Sequence, residues 1–300
     1  MKNKKIIVFI AYLLISQIGF GQTDFPTKFS VFCQAKDTLA ERKLLEKWQH
    51  EKPNDPELYT SYFNYYFSKS KNEVVTLTTE EPEGEKLILK DSLNQITGFL
   101  GAQTSYDEFY FTRGIHYINE GIRKFPNRLD MYFGKIYAYG QHKKWDIFTK
   151  EIITVITYSA KNKNQWTWTN NEPVENSEDF FLSSIQSYIN QLYRTGDNRL
   201  LNNMKQISET VLKYYPNNVE SLSNISVVYL LNGEYDKGLA PLLKAEKINP
   251  KDYIVLGNIA QTYKLKGNKE MSIKYYKKML KYGDGQTKEF AKEQIANLKK

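Results

Sequence analysis

Residues 222–250 read LSNISVVYLLNGEYDKGLAPLLKAEKINP, and residues 256–284 read LGNIAQTYKLKGNKEMSIKYYKKMLKYGD. At a shift of 34 residues Leu222 falls on Leu256, Asn224 on Asn258, Ile225 on Ile259, Tyr229 on Tyr263 and Gly233 on Gly267. Pro216 falls on Pro250 in the same register. Self-similarity at a period of this size marks a stacked-repeat architecture. Leu222, Ile225 and Tyr229 recur at three and four residues, so they share one face of a helix. Gly233 and Gly267 end that helix, because the left-handed conformation costs glycine least. Leu239, Leu242, Leu243 and Ala245 then form the apolar stripe of a second helix that packs back on the first. The small residues Gly238 and Ser272 let the two helices approach closely. Tyr215-Pro216 and Asn249-Pro250 break the chain before each following unit. One helix pair cannot cover its own apolar face, so such pairs stack.

The residues at these positions resemble the tetratricopeptide-repeat (TPR) pattern, a large apolar residue followed by L-G-x-x-Y, then A-x-x-x-F and a closing proline. The first copy supplies Leu222, Ile225-Ser226, Tyr229, Gly238, Leu242 and Pro250; the second supplies Leu256, Ile259-Ala260, Tyr263, Ser272 and Tyr276, with Asp284 in place of the proline. The resemblance implies an all-α, TPR-type helix-pair solenoid (a right-handed superhelix), and a protein that binds rather than catalyses. It is carried by residues 185–284. In that family the first helices of the pairs line the binding groove, and an asparagine at the position of Asn224 and Asn258 holds the backbone of an extended peptide. Gln261 and Lys264 fall on the same face. The competing reading has both asparagines bonded to the backbone of neighbouring helices. The basic residues that clamp a partner's C-terminal carboxylate in some members are not evident beside them.

Outward from the repeats, Thr287 to Leu298 reads as a capping helix with Phe290, Ala291, Gln294, Ile295 and Leu298 inward and a lysine-rich outer face. Upstream the signature fades into helical periodicity alone. Leu200 to Tyr215, Trp145 to Tyr158, the stretch around Tyr132, Ile136 and Tyr139, and a segment from Tyr106 to Pro126 all read as helices. Ala35–Glu51 and Pro56–Phe67 are expected to form a pair. Two segments depart from the scheme. Glu73–Thr78 and Lys86–Leu89, around the loop Glu80–Glu85, read as a small inserted β-hairpin near residues 73–90. A long loop spans residues 161–177 and carries Trp166-Thr167-Trp168-Thr169-Asn170-Asn171. The organisation is therefore a divergent helical region over 22–180 and regular repeats with their cap over 181–300.

Residues 1–21 carry Lys2, Lys4 and Lys5, then the apolar run Ile6–Ile15, then Gly19-Phe20-Gly21. This is the layout of a secretory signal peptide cleaved after Gly21, which predicts an exported protein, periplasmic or secreted. The run is too short for a membrane-spanning helix, so no stable membrane insertion is expected after cleavage. The single cysteine, Cys33, is twelve residues past Gly21 and preceded by Val31-Phe32, which argues against lipidation. It reads as a small buried apolar residue. Loss of the three lysines lowers the net charge from +8 to +5. That charge is spread along helix faces and forms no basic stripe, so nucleic acid is not an expected partner.

Chemistry is poorly represented. His50, His116 and His142 lie on different helices, and no nucleophile elbow, phosphate-binding glycine loop or His-Glu-x-x-His is present. No metal, cofactor or enzymatic activity is expected. The acidic Glu80–Glu85 run lacks the alternating spacing of a calcium loop. Two binding readings remain. In the first, a non-catalytic scaffold takes a protein or peptide in the groove through Asn224, Asn258, Gln261 and Lys264. In the alternative, Trp166 and Trp168 stack on a small molecule or glycan while Asn170 and Asn171 supply hydrogen bonds. Self-association through the hairpin edges at Val74–Thr78 or Leu87–Leu89 is a third expectation.

Overall fold

The computed structural model describes residues 24–82 and 85–300. Residues 1–21, expected to be a signal peptide, lie outside them, as do Glu83 and Gly84 of the acidic loop. The chain divides into two compact units, one ending at Pro53 and one running from Asn54 to Lys300.

The first unit holds α1 (Phe25–Ala35) and α2 (Thr38–Glu51), packed together. Asp24 and Asp37 cap them through the Thr27 and Ala40 amides, at 3.3 and 2.9 Å, which satisfies donors that a helix start leaves free. Phe25 stacks on Trp48 with ring centroids 5.2 Å apart. Cys33 is exposed rather than buried, although it stands one turn past Phe29 on the same side of α1. Partial desolvation, with the Glu41 carboxylate nearby, pushes its thiol up to about 11.

The second unit is built from helix pairs: α3 (Pro56–Ser70) with α4 (Glu108–Lys124), α5 (Leu129–Gln141) with α6 (Trp145–Asn162), and α7 (Ser177–Arg194) with α8 (Leu201–Tyr214). Then come α9 (Val219–Leu231) with α10 (Tyr235–Ile248), α11 (Tyr253–Leu265) with α12 (Lys269–Tyr282), and the closing α13 (Gly285–Lys299). Ala35–Glu51 and Pro56–Phe67, expected as one pair, fall in different units; within its own unit α2 packs on α1, and α3 on α4. The repeat chemistry is visible in the last pairs. Gly233 and Gly267 take φ of 76° and 75° at the turns. A Cβ at Gly238 would lie 3.2 Å from the Ser226 carbonyl, and the buried Ser272 hydroxyl donates to the Ala260 carbonyl at 2.9 Å. On α13, Ala291 and Ile295 turn inward, but Phe290 is 47% exposed and touches Tyr276 only with a ring edge.

The inserted β element replaces the turn between α3 and α4. It comprises β1 (Lys71–Thr78), β2 (Lys86–Lys90) and β3 (Ile96–Tyr106), in the order β1-β3-β2. The two runs expected to form one hairpin therefore do not pair with each other. Each pairs antiparallel with β3, with Leu77 and Leu87 both opposite Leu100. The third strand escapes the alternation rule because Gly98, Gly101 and Ala102 dilute its apolar signal. The fold is thus all-α and TPR-like in its helix pairs, with one small antiparallel sheet.

The core runs without a break across the junction at residues 180 and 181, joining Leu129, Ile136 and Phe148 to Phe181, Ile185 and Met204. That junction marks a change in repeat regularity rather than in packing.

Candidate functional site

The first helices α7, α9 and α11 present a row of side-chain amides. Asn224 donates to Gln186 Oε1 at 2.7 Å and accepts from Gln186 Nε2 at 3.3 Å, a reciprocal amide pair between α9 and α7. Gln186 Nε2 also donates to Asn190, at 3.0 Å. One repeat on, Asn258 donates to Ser223 Oγ at 3.1 Å, which links α11 to α9. Both asparagines are half-buried, and both bond to side chains of the preceding first helix rather than to backbone. Gln261 accepts from the Tyr276 hydroxyl at 3.0 Å, and the exposed Lys264 donates to Gln294 on α13 at 2.8 Å. Ile225 and Val227 stand half-exposed beside them. An amide both donates and accepts, as a peptide unit does. This row can exchange its internal partners for the backbone of an extended chain at little cost in hydrogen bonds.

The four residues singled out from the sequence thus lie along one run of helices, with Asn224 and Asn258 in equivalent places. Gln186, Asn190, Ser223 and Gln294 were not singled out. Gln186 plays for α7 the part that Ser223 plays for α9, but it stands 38 residues before Asn224. The α7/α8 unit is longer than its successors, so a 34-residue shift passes it by.

Within residues 161–177, the loop between α6 and α7 is a structural clasp. Trp166 is 2% exposed and packs on Tyr132, Tyr158 and Phe181, with centroids 5.6 to 5.9 Å away. Trp168 is half-buried and meets Phe133 and Phe180 edge-on. The loop backbone is stitched to the α4–α5 junction, with the Thr167 amide donating to the Asn127 carbonyl at 2.8 Å and the Leu129 amide to the Thr167 carbonyl at 3.0 Å. Beneath it lies Arg128, 1% exposed, paired with Glu57 and Asp130 at 2.7 Å each. Glu57 Oε1 also accepts from the Asn170 amide at 2.8 Å, and Arg128 donates to the Asn171 side-chain oxygen at 3.3 Å. Asn170 and Asn171 take φ of 59° and 58°, a conformation asparagine tolerates better than most residues. Of the ligand platform expected of Trp166 and Trp168, the first ring is closed off in the core and the second is half-buried. Burying an indole gains more than exposing it, and both rings serve the core.

Two open clefts lie elsewhere on this unit. One of about 570 Å³ is lined by Glu178, Tyr215, Asn218, Glu220 and Asp252. Its acids are already engaged: Glu178 by Asn164 and Glu220 by Asn218, each at 3.0 Å, and Asp252 by the Ile254 and Val255 amides. The other, of about 490 Å³, holds Lys144, Asp197 and Arg199. Arg199 pairs there with Asp197 at 2.7 Å, and Lys144 with Glu108 at 2.8 Å. Among the described residues no group of three or more His, Cys, Asp or Glu side chains could hold a metal ion. No helix there is long and apolar enough to cross a membrane.

Comparison with known proteins agrees with the repeat. Residues 254–282 match the tetratricopeptide-repeat family model, so the chain carries a TPR unit over α11 and α12. No curated protein matches the chain. Among solved structures, it is similar to YrrB, described as a TPR protein with an unusual peptide-binding site, at 11% identity and a TM-score of 0.41, over 83% of this chain and 97% of that one. It is similar to TTC0263, a thermophilic TPR protein of Thermus thermophilus, at 13% identity and a TM-score of 0.38, over 64% and 91%. MamA matches at 15% identity and a TM-score of 0.36, over 63% and 93%.

Proposed function

We propose that the protein is a non-catalytic interaction scaffold that takes an extended segment of a partner protein along α7, α9 and α11. The observation that carries this reading is the amide row. Asn224 and Asn258 occupy equivalent repeat positions, stand half-buried on neighbouring first helices, and are held by exchangeable side-chain partners. The burial of Trp166 favours this reading over small-molecule or glycan binding at the loop. A partner's backbone would replace the Gln186–Asn224 and Asn258–Ser223 bonds, with Lys264 at the α13 end favouring an acidic or carboxylate-bearing residue there.

Selection of a displayed random-peptide library on the wild-type chain, followed by affinity measurement against Asn224→Ala/Asn258→Ala, tests the assignment. Loss of two hydrogen bonds at about 1 kcal/mol each should weaken the selected peptides roughly 30-fold, with the far-UV circular dichroism of the variant unchanged. Peptides that bind the double variant as well as the wild type place the site elsewhere.

The lysines, apolar run and small residues over 1–21 support an exported scaffold, periplasmic or secreted. The intact mass of the protein recovered from fractionated cells is the check. A chain that still begins at Met1 in the cytosolic fraction rejects export.

A further inference from the structure

Eight of the twenty large apolar side chains exposed among the described residues lie between Val74 and Ile96, seven in the strands of the small sheet and Leu93 in its β2–β3 turn. They are not spread evenly over its two faces. The strand pairing puts Val74, Thr76, Thr78, Lys86, Ile88 and Phe99 on one face. Pro82 lies over that face: a Cβ at Gly101 would meet its ring at 2.8 Å, Lys86 reaches its carbonyl at 3.2 Å, and Phe99 is 7% exposed. The other face carries Val75, Leu77, Leu87, Leu89, Leu100 and Ala102, and it stands open among the described residues. Val75, Leu77 and Leu87 are 71, 69 and 65% exposed, and Leu77, Leu100 and Leu87 form one row across the three strands.

A sheet with one apolar face is stable only when that face is covered. We propose that it packs against the same face of a second copy of this chain, so that two three-stranded sheets close into a six-stranded sandwich about a twofold axis. Charge permits this pairing. Lys86 and Lys90 alternate to the covered face, and among the described residues of the strands the charges on the open one, Lys71 and Glu73, neutralise each other at 2.9 Å. The face therefore carries no net charge into contact with its own copy.

Geometry permits it as well. The sheet meets the helices at its base, where β1 continues α3, the Asp107 amide donates to the Ser70 carbonyl at 2.8 Å, and Tyr106 stacks on Phe67 and His142. Area sets the strength. At roughly 100 Å² for each largely exposed Val or Leu, two faces remove on the order of 800 Å² of apolar surface. With the polar rim that approaches about 1,000 Å², the lower bound for a specific interface, so the dimer is weak and reversible. This face is separate from the amide row, and its occupant does not depend on what that row binds.

Sedimentation equilibrium of the full chain, taken to roughly 100 µM, is the test. The wild type should show a reversible monomer–dimer equilibrium. Leu77→Glu/Leu87→Glu should abolish it without changing the far-UV spectrum, since both side chains already face solvent. Ile88→Glu, on the opposite face, should leave the dimer intact. A wild type that stays monomeric throughout overturns the proposal, as does a dimer that survives Leu77→Glu/Leu87→Glu. Monomeric wild type that floats with phosphatidylcholine vesicles, with flotation lost in the double variant, would assign the face to lipid instead.

Discussion

In α9/α10 and α11/α12 three residues with a left-handed glycine separate the paired helices, whereas in α3/α4 the same turn has grown into a sheet from Lys71 to Tyr106. The junctions between pairs differ as sharply: residues 249–252 suffice between α10 and α11, while residues 163–176 fill the gap between α6 and α7. Where connections are short, small residues hold the helices, as Gly238 against Ser226 and Ser272 against Ala260 show. Where they are long, the chain must be fastened, and here the fastener is a buried guanidinium. Arg128 joins α3 through Glu57, α5 through Asp130 and the tryptophan loop through Asn171. Regular repeats are thus stabilised by close approach, and the irregular region by a satisfied polar network in a dry setting.

The largest expected effect breaks the irregular side of this comparison. Arg128→Ala leaves the largely buried Glu57 and Asp130 without a counter-charge, and removing one member of a buried ion network costs about 3–5 kcal/mol. Urea unfolding followed by circular dichroism should show the loss as a lower midpoint, and tryptophan fluorescence should shift red as the loop lifts Trp166 from the core. An unchanged midpoint would mean that the loop is held by its aromatic rings alone. On the regular side, Gly238→Val forces a branched side chain against the Ser226 carbonyl, where a bare Cβ already stands at 3.2 Å. Overpacking of this kind costs about 1–3 kcal/mol, and the loop fluorescence should stay as in the wild type. If the valine variant is as stable as the parent, close helix approach is not what holds α9 to α10.

This contrast also decides what was legible in the sequence. The helices of the last two pairs, their glycine turns and the equivalence of Asn224 with Asn258 are all read from a 34-residue shift, because each depends on residues local to one unit. The pairing of α3 with α4 is invisible to that reading, since the whole sheet from Lys71 to Tyr106 stands between them and periodicity has no memory of that length. β3 is lost for the opposite reason: Gly101 serves the close packing of Pro82 and Gly98 that of the Thr78 carbonyl, which leaves little alternation to detect. Of the candidate site, the positions were legible and the partners were not. Gln186 and Ser223 are ordinary polar residues until the fold sets them beside the asparagines. Arg128 carried no signal at all, because a charged residue between Asn127 and Leu129 looks like surface until three acceptors converge on it.

The smallest expected effect sharpens the comparison at its boundary, where the α4 start meets the turn before α6. Glu108 pairs with Lys144 at 2.8 Å. The hydrogen bond from Lys144 holds the Glu108 carboxyl below the ordinary value of 4.5 against the opposing effect of burial, with the charge of Lys144 and His142 adding to the lowering. A carboxyl whose pKa is lower in the folded chain contributes stability that is fully present above about 4.5 and is lost as pH falls through the depressed folded value. The side chain is 60% exposed, so solvent screening keeps the contribution below about 1 kcal/mol. Glu108→Gln should therefore leave the urea midpoint nearly unchanged once the pH is below the depressed folded value, and lower it slightly at neutral pH. Added salt should narrow the difference, because an exposed pair is screened. The Arg128 network, shielded from solvent, should keep its full effect under the same salt. If salt erases both effects equally, the two ion pairs belong to one surface class, and burial is not what separates the irregular region from the regular one.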